Sequence, residues 1–188
     1  MAKNSGGTAR RSKTVVAPAK TEKKVKELPY NTNRFSNAVE VRTLDKSWTD
    51  AKKARVMKAL DRIYSEYRIE KLRALALAGA NRKDSAEEGS YSRGIITLRS
   101  NQRDIEGAAA HEAMHRILDK TPLTGQERLD VLSAYNSYSK KYPRMYSSTN
   151  VDEFVCETFR KMITKKTLHT NEEKVTAQVI DRVFKKKK

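Results

Sequence analysis

The sequence predicts an α+β fold, mostly helical, with a small sheet set beside one histidine-bearing helix. Three observations carry that prediction. Long segments place apolar residues at helical spacing, as Ala54, Met57, Leu60, Ile63 and Tyr64 do. Two short runs, residues 72–77 and 91–99, concentrate apolar and β-branched side chains between turn-forming stretches. The third is the pentapeptide His111-Glu112-Ala113-Met114-His115, which holds two of the chain's three histidines four residues apart.

Taken in order, residues 1–28 carry eight Lys/Arg against Glu22 and Glu27, and almost no large apolar side chains. Such a segment buries too little to fold, so a disordered basic tail is expected there. It has no continuous apolar core of the kind a secretory signal needs, and no segment of the chain is long and apolar enough to span a bilayer. Residues 29–184 then form one domain. With 188 residues and 37% hydrophobic content, the chain supports one core and no second catalytic domain.

Ser47 or Thr49 caps a first helix that runs to about Tyr67 and backs the core. The run Leu72-Arg73-Ala74-Leu75-Ala76-Leu77 is compatible with helix or strand and is read as a strand. Polar residues 79–90 form a long turn before a second strand at residues 91–99. Asp104 or Asn101 caps a helix over Ile105–Lys120, which ends at Thr121-Pro122. Thr124 and Glu127 form a capping box for a helix bearing Leu129, Leu132 and Tyr135, which stops before Pro143. A Ser/Thr/Asn cluster at residues 148–150 opens an amphipathic helix with Phe154, Val155, Phe159, Met162 and Ile163. Thr170 and Glu173 open a last helix through Val175, Val179, Ile180 and Val183, followed by the basic tail of residues 185–188.

The chemistry lies in the third observation. Four residues of helix turn a side chain through about 400°, so His111 and His115 sit roughly 40° apart on one face and can share one ion. This is the HExxH pattern of zinc hydrolases, in which the two imidazoles bind Zn2+ and Glu112 handles the protons of the attacking water. A third ligand is required. The single cysteine excludes a closed thiolate site and leaves an open, catalytic one. His169 sits in a polar loop and reads as a surface residue. Glu153 is the better candidate, because Glu153 and Glu157 lie one turn apart on a partly buried helix, where two carboxylates repel unless a cation lies between them. One can bind the metal while the other accepts the N–H of a ligating histidine. Cys156, among apolar neighbours, reads as a small buried hydrophobe.

The HEAMH block, the downstream EFVCETF block and a tyrosine shortly before it together resemble the gluzincin-type zinc metallopeptidases. The likeness is to the catalytic domain of anthrax lethal factor and to zincin domains encoded by phages. It covers roughly residues 50–165 in order of elements, with its specific residues confined to the pentapeptide and residues 146–159. The resemblance implies a zincin-like fold, one Zn2+ held by His111, His115 and Glu153, Glu112 as general base and Glu157 behind the ligands. It also implies that Tyr146 stabilises the developing oxyanion, a role for which Tyr142 competes. In that architecture an edge strand receives an extended peptide by β-augmentation, and the residues expected to form it are Tyr91, Gly94, Ile95, Ile96 and Thr97.

The expected function is therefore zinc-dependent peptide hydrolysis, with a peptide or protein as substrate. An alternative reading starts from the charge. At +17 net, with basic ends, the chain suits contact with nucleic acid or another polyanion, as a virion-associated or structural protein on a weakly active or inactive zincin fold. Hydrolysis of another acyl substrate uses the same metal–water chemistry. The expected setting is cytoplasmic or virion-associated, in keeping with the lone cysteine.

Overall fold

A computed structural model describes residues 34–80 and 88–187. The expected basic leader, the centre of the expected 79–90 turn and residue 188 lie outside the described residues. Within them the chain is α+β, with five α-helices and one four-stranded mixed sheet.

Strands β1 (Ala38–Thr43), β2 (Leu72–Ala78) and β4 (Ile95–Arg99) lie side by side and parallel, and β3 (Gly89–Ser92) pairs antiparallel with the far side of β4. The sheet order is thus β1-β2-β4-β3, with β1 and β3 at its edges. β2 is extended although its Ala/Leu content favours helix, because pairing on both sides and burial of Leu72, Leu75 and Leu77 outweigh intrinsic propensity. β1 is not among the expected elements. Its signal is the alternation of Val39, Val41 and Thr43 with Glu40 and Arg42, muted because most of this edge strand is exposed.

Residues 91–99 do not form one strand. Arg93 and Gly94 both adopt positive φ, 47° and 83°, and fold the segment into a tight two-residue hairpin between β3 and β4. The expected substrate edge is corrected accordingly. Tyr91 lies on the edge strand, Gly94 is in the turn, and Ile95, Ile96 and Thr97 lie on β4, whose two sides are already paired with β2 and β3. Gly89 and Ser90, expected in a turn, take the edge positions instead.

The helices are α1 (Asp50–Glu66), α2 (Ile105–Lys120), α3 (Gly125–Lys141), α4 (Val151–Ile163) and α5 (Asn171–Phe184), with a 3-10 turn at Tyr146–Ser148. Thr49 caps α1, Asp104 caps α2, Asn150 caps α4 and Thr170 with Glu173 forms the capping box of α5. The box expected at Thr124 is absent. Its hydroxyl makes no cap hydrogen bond, and the next residue, Gly125, takes a φ of 56° that turns the chain away from regular entry. α3 also buries a different stripe from the one expected. Val131, Ala134 and Tyr138 face inward, while Leu129 is 59% and Leu132 38% exposed.

One core joins the sheet to all five helices, α3 entering it through Val131. Met57, Leu60 and Ile63 of α1, Leu75, Leu77, Ile96 and Leu98 of the sheet, Met114 of α2, Phe159 of α4 and Ile180 and Phe184 of α5 are all essentially inaccessible. Tyr67 meets Phe159 edge-on at 4.9 Å. The expected C-terminal tail is anchored rather than free over its described part. Lys185 bridges to Tyr67, the Lys186 amide donates to the Glu66 carbonyl, and the Arg68 amide donates to Phe184.

Candidate metal centre

α2 is built to approach its neighbours closely. Ala108, Ala109, Ala110 and Ala113 are buried, and this small-residue face lets α4 pack against it with Val155, Cys156 and Phe159. The outcome is that His111 and His115 on α2 face Glu153 and Glu157 on α4. Asn150 fixes the start of α4 by accepting from the Glu153 amide, which sets the height of that carboxylate along the helix.

Three of the expected groups converge at ligand spacing. The Nε2 atoms of His111 and His115 are 3.1 Å apart, His111 Nε2 is 3.0 Å from Glu153 Oε2, and His115 Nε2 is 3.4 Å from Glu153 Oε1. Tetrahedral bonds of roughly 2.0–2.1 Å place neighbouring ligand atoms roughly 3.3 Å apart. The donor set fits Zn2+ on that measure. It fits also because Glu153 Oε2 is buried and makes no hydrogen bond. It faces the His111 ring nitrogen without the alignment that a hydrogen bond needs, as two ligands of a common ion would.

On the other side of the ring, His111 Nδ1 is 3.0 Å from Glu157 Oε1. That contact fixes the ring's orientation and leaves Nε2 turned to the centre. Burial opposes a charge on His111, but the Glu153 and Glu157 carboxylates outweigh it and push its pKa up to about 9. Burial likewise raises Glu153, yet His111 and His115 hold it well below the usual carboxylate range. Glu157 is also lowered, against burial, by His111 and Arg160.

Cys156 is the other candidate donor. Its Sγ and the ring nitrogens of His111 and His115 lie within 4.8 Å of one another. The sulfur is wholly buried, and burial, followed by the nearby Glu153, Glu112, Asp152 and Glu157, raises its pKa well above the ordinary thiol value. Metals take the thiolate, and these surroundings hold the Cys156 thiol in its protonated form.

Glu112 is 5% exposed and lines a cleft of 660 Å³ together with His111, His115, Tyr146, Asp152 and Glu153. Gly89 of β3 lies against it. A Cβ on Gly89 would stand 3.2 Å from Glu112 Oε1 and 2.8 Å from the Thr97 carbonyl, so only glycine brings the edge strand this near the glutamate. Sequence reasoning missed Gly89. It sits beside the 81–87 segment in a stretch whose polarity reads as a turn.

Tyr146 lies in the 3-10 turn, 61% exposed, with its ring 6.0 Å from that of His111. Burial of the hydroxyl and the nearby Glu153 carboxylate raise its pKa, which keeps the phenol protonated as a donor. The Tyr135 hydroxyl donates to the Ser148 carbonyl and Ser147 donates to the Tyr138 hydroxyl, pinning the turn. Tyr142 instead packs on Tyr138 at 4.9 Å and does not line the cleft. His169 is exposed in the loop before α5.

In comparisons with known proteins, no family model, curated protein or solved structure matches this chain.

Proposed function

We propose that this chain is a zinc-dependent metallopeptidase with a zincin-like fold. The observation that carries the reading is the meeting of His111 Nε2, His115 Nε2 and the Glu153 carboxylate at 3.0–3.4 Å, on a cleft that Glu112 also lines. His111, His115 and Glu153 would hold the ion, and Glu157 would orient His111. When bound, Zn2+ polarises a carbonyl and brings the pKa of a water down to about 7.

The remaining work falls to side chains. Glu112, beside the ligands and half enclosed by β3, holds the attacking water, takes its proton and passes it to the leaving nitrogen. The Tyr146 hydroxyl, kept protonated, donates to the carbonyl oxygen as it gains charge. Gly89 and Tyr91, whose backbone groups turn away from β4, offer them to an extended peptide.

Glu112→Gln tests the reading, because it keeps size and hydrogen bonding but cannot carry the proton. Zinc-loaded wild-type protein is expected to cleave members of a peptide library, and the variant to bind Zn2+ equally while its rate falls roughly 10²–10⁴-fold. Equal cleavage by both proteins contradicts the assignment.

A second reading rests on the charge of +17, which suits a polyanionic partner such as nucleic acid and is compatible with the first. Among the described residues, no helix is long and apolar enough to cross a membrane. Mobility shifts with DNA and RNA at stepped salt concentrations test it. Association that weakens steeply with salt supports the reading, and none at low salt contradicts it.

A further inference from the structure

Arg160 stands one turn beyond Glu157 on α4 and belongs to no ligand set, yet three carboxylates converge on it. Its Nη1 is 2.6 Å from Glu88 Oε2 and 3.3 Å from Glu157 Oε1, and its Nη2 is 3.2 Å from Asp104 Oδ2. The side chain is 15% exposed.

Each carboxylate leads to a different part of the centre. Glu157 meets His111 Nδ1 at 3.0 Å. Asp104 caps the helix that carries His111, Glu112 and His115, accepting from the Gly107 amide at 2.9 Å. Glu88 immediately precedes Gly89, whose backbone lies against Glu112. Gly107 shows how closely the ion pair is seated. A Cβ there would lie 2.3 Å from Asp104 Oδ2 and 2.7 Å from Arg160 Nε, so the Arg160–Asp104 pair fills the space that a side chain would take on the first turn of α2.

We propose that Arg160 is the positioning residue of this centre, a single guanidinium that clamps Glu157 against His111 and ties both to the starts of α2 and β3. The inference rests on the zinc reading above. The guanidinium supplies a planar array of five donors, enough to serve three acceptors at once, where an ammonium offers a compact point charge. Lys166 also pairs with Asp104, whereas Arg160 joins that carboxylate to Glu88 and Glu157; without the guanidinium, Glu157 would face Glu88 in a partly buried space with no cation bridging them, and its hold on His111 would loosen.

The test uses the full-length wild type, Arg160→Gln and Arg160→Lys. Zn2+ affinity is measured by competition with a chromophoric chelator, and Co2+ spectra report ligand geometry. Arg160→Gln is expected to weaken Zn2+ binding roughly 10–100-fold, the range for losing a group that orients a ligand. Arg160→Lys should show an intermediate loss, and both variants should shift the Co2+ absorption bands. Wild-type affinity or an unchanged Co2+ spectrum in Arg160→Gln overturns the proposal. Full recovery by Arg160→Lys overturns the three-way clamp, because charge alone would then suffice. If Arg160→Gln does not fold, Arg160→Lys decides alone, with an intermediate loss in support and wild-type affinity against. A wild type that binds no Zn2+ overturns the zinc reading and this inference together, whereas a zinc-binding wild type with indifferent variants overturns only this one.

Discussion

The Nε2 atoms of His111 and His115 face each other at 3.1 Å from consecutive turns of α2. Two imidazole lone pairs at that distance repel, so a proton or a metal ion must lie between them, and the two compete for the same nitrogens. The Glu153 and Glu157 carboxylates serve either occupant, since each favours a positive charge at His111.

That competition has a defined sign. In chelator-treated protein His111 titrates at about 9, above the value of about 6.5 expected for an unfolded chain. The raised value makes its contribution to stability complete below about pH 6.5 and lost as pH rises through about 9. At pH 7 the ring is therefore protonated, and Zn2+ must displace the proton. Calorimetric Zn2+ titrations in two buffers of different ionisation enthalpy are expected to report release approaching one proton. Release of none would contradict the account of His111.

Tyr146→Phe removes the hydroxyl of a ring that lies 6.0 Å from that of His111, without disturbing the hydrogen bonds that pin the 3-10 turn, which come from Tyr135, Ser147 and the backbone. Zn2+ binding should be unchanged and kcat should fall roughly 10²–10³-fold, as for loss of an oxyanion donor. A rise in KM alone, with kcat intact, would exclude that role.

Cys156→Ala separates the two candidate ligand sets. Because the thiol is buried and held protonated, the variant is expected to keep one equivalent of Zn2+ and to lose roughly 0.5–3 kcal/mol of stability in denaturant titrations, the usual effect of a core truncation. Loss of the metal would move the third ligand from Glu153 to Cys156.

Much of the centre was legible because it is written in short-range spacing. The helix expected over Ile105–Lys120 has those bounds, with Asp104 at its cap, and the one-turn separation of Glu153 and Glu157 puts both carboxylates beside His111. What could not be read depends on partners distant in sequence. Arg160 joins Asp104 and Glu88 across 56 and 72 residues, and nothing local marks it apart from another basic residue in a last helical turn. The edge of the sheet was misplaced for a related reason. A β-branched run signals a strand, whereas the hairpin depends on positive φ at Arg93 and Gly94, and pairing then decides which strand has a free side. Leu129 and Leu132 show the same limit in a helix, since hydrophobic spacing on α3 did not reveal that Val131, Ala134 and Tyr138 form its buried stripe.

The central claim is that side chains from two helices converge on a single divalent ion, and metal content under matched loading tests it most directly. Wild-type protein, exchanged into zinc and dialysed, is expected to retain close to one equivalent, while Glu153→Ala, removing the only ligand that α4 contributes, should retain far less with its fold intact by circular dichroism. Equal zinc in both proteins, or none in the wild type, would contradict it.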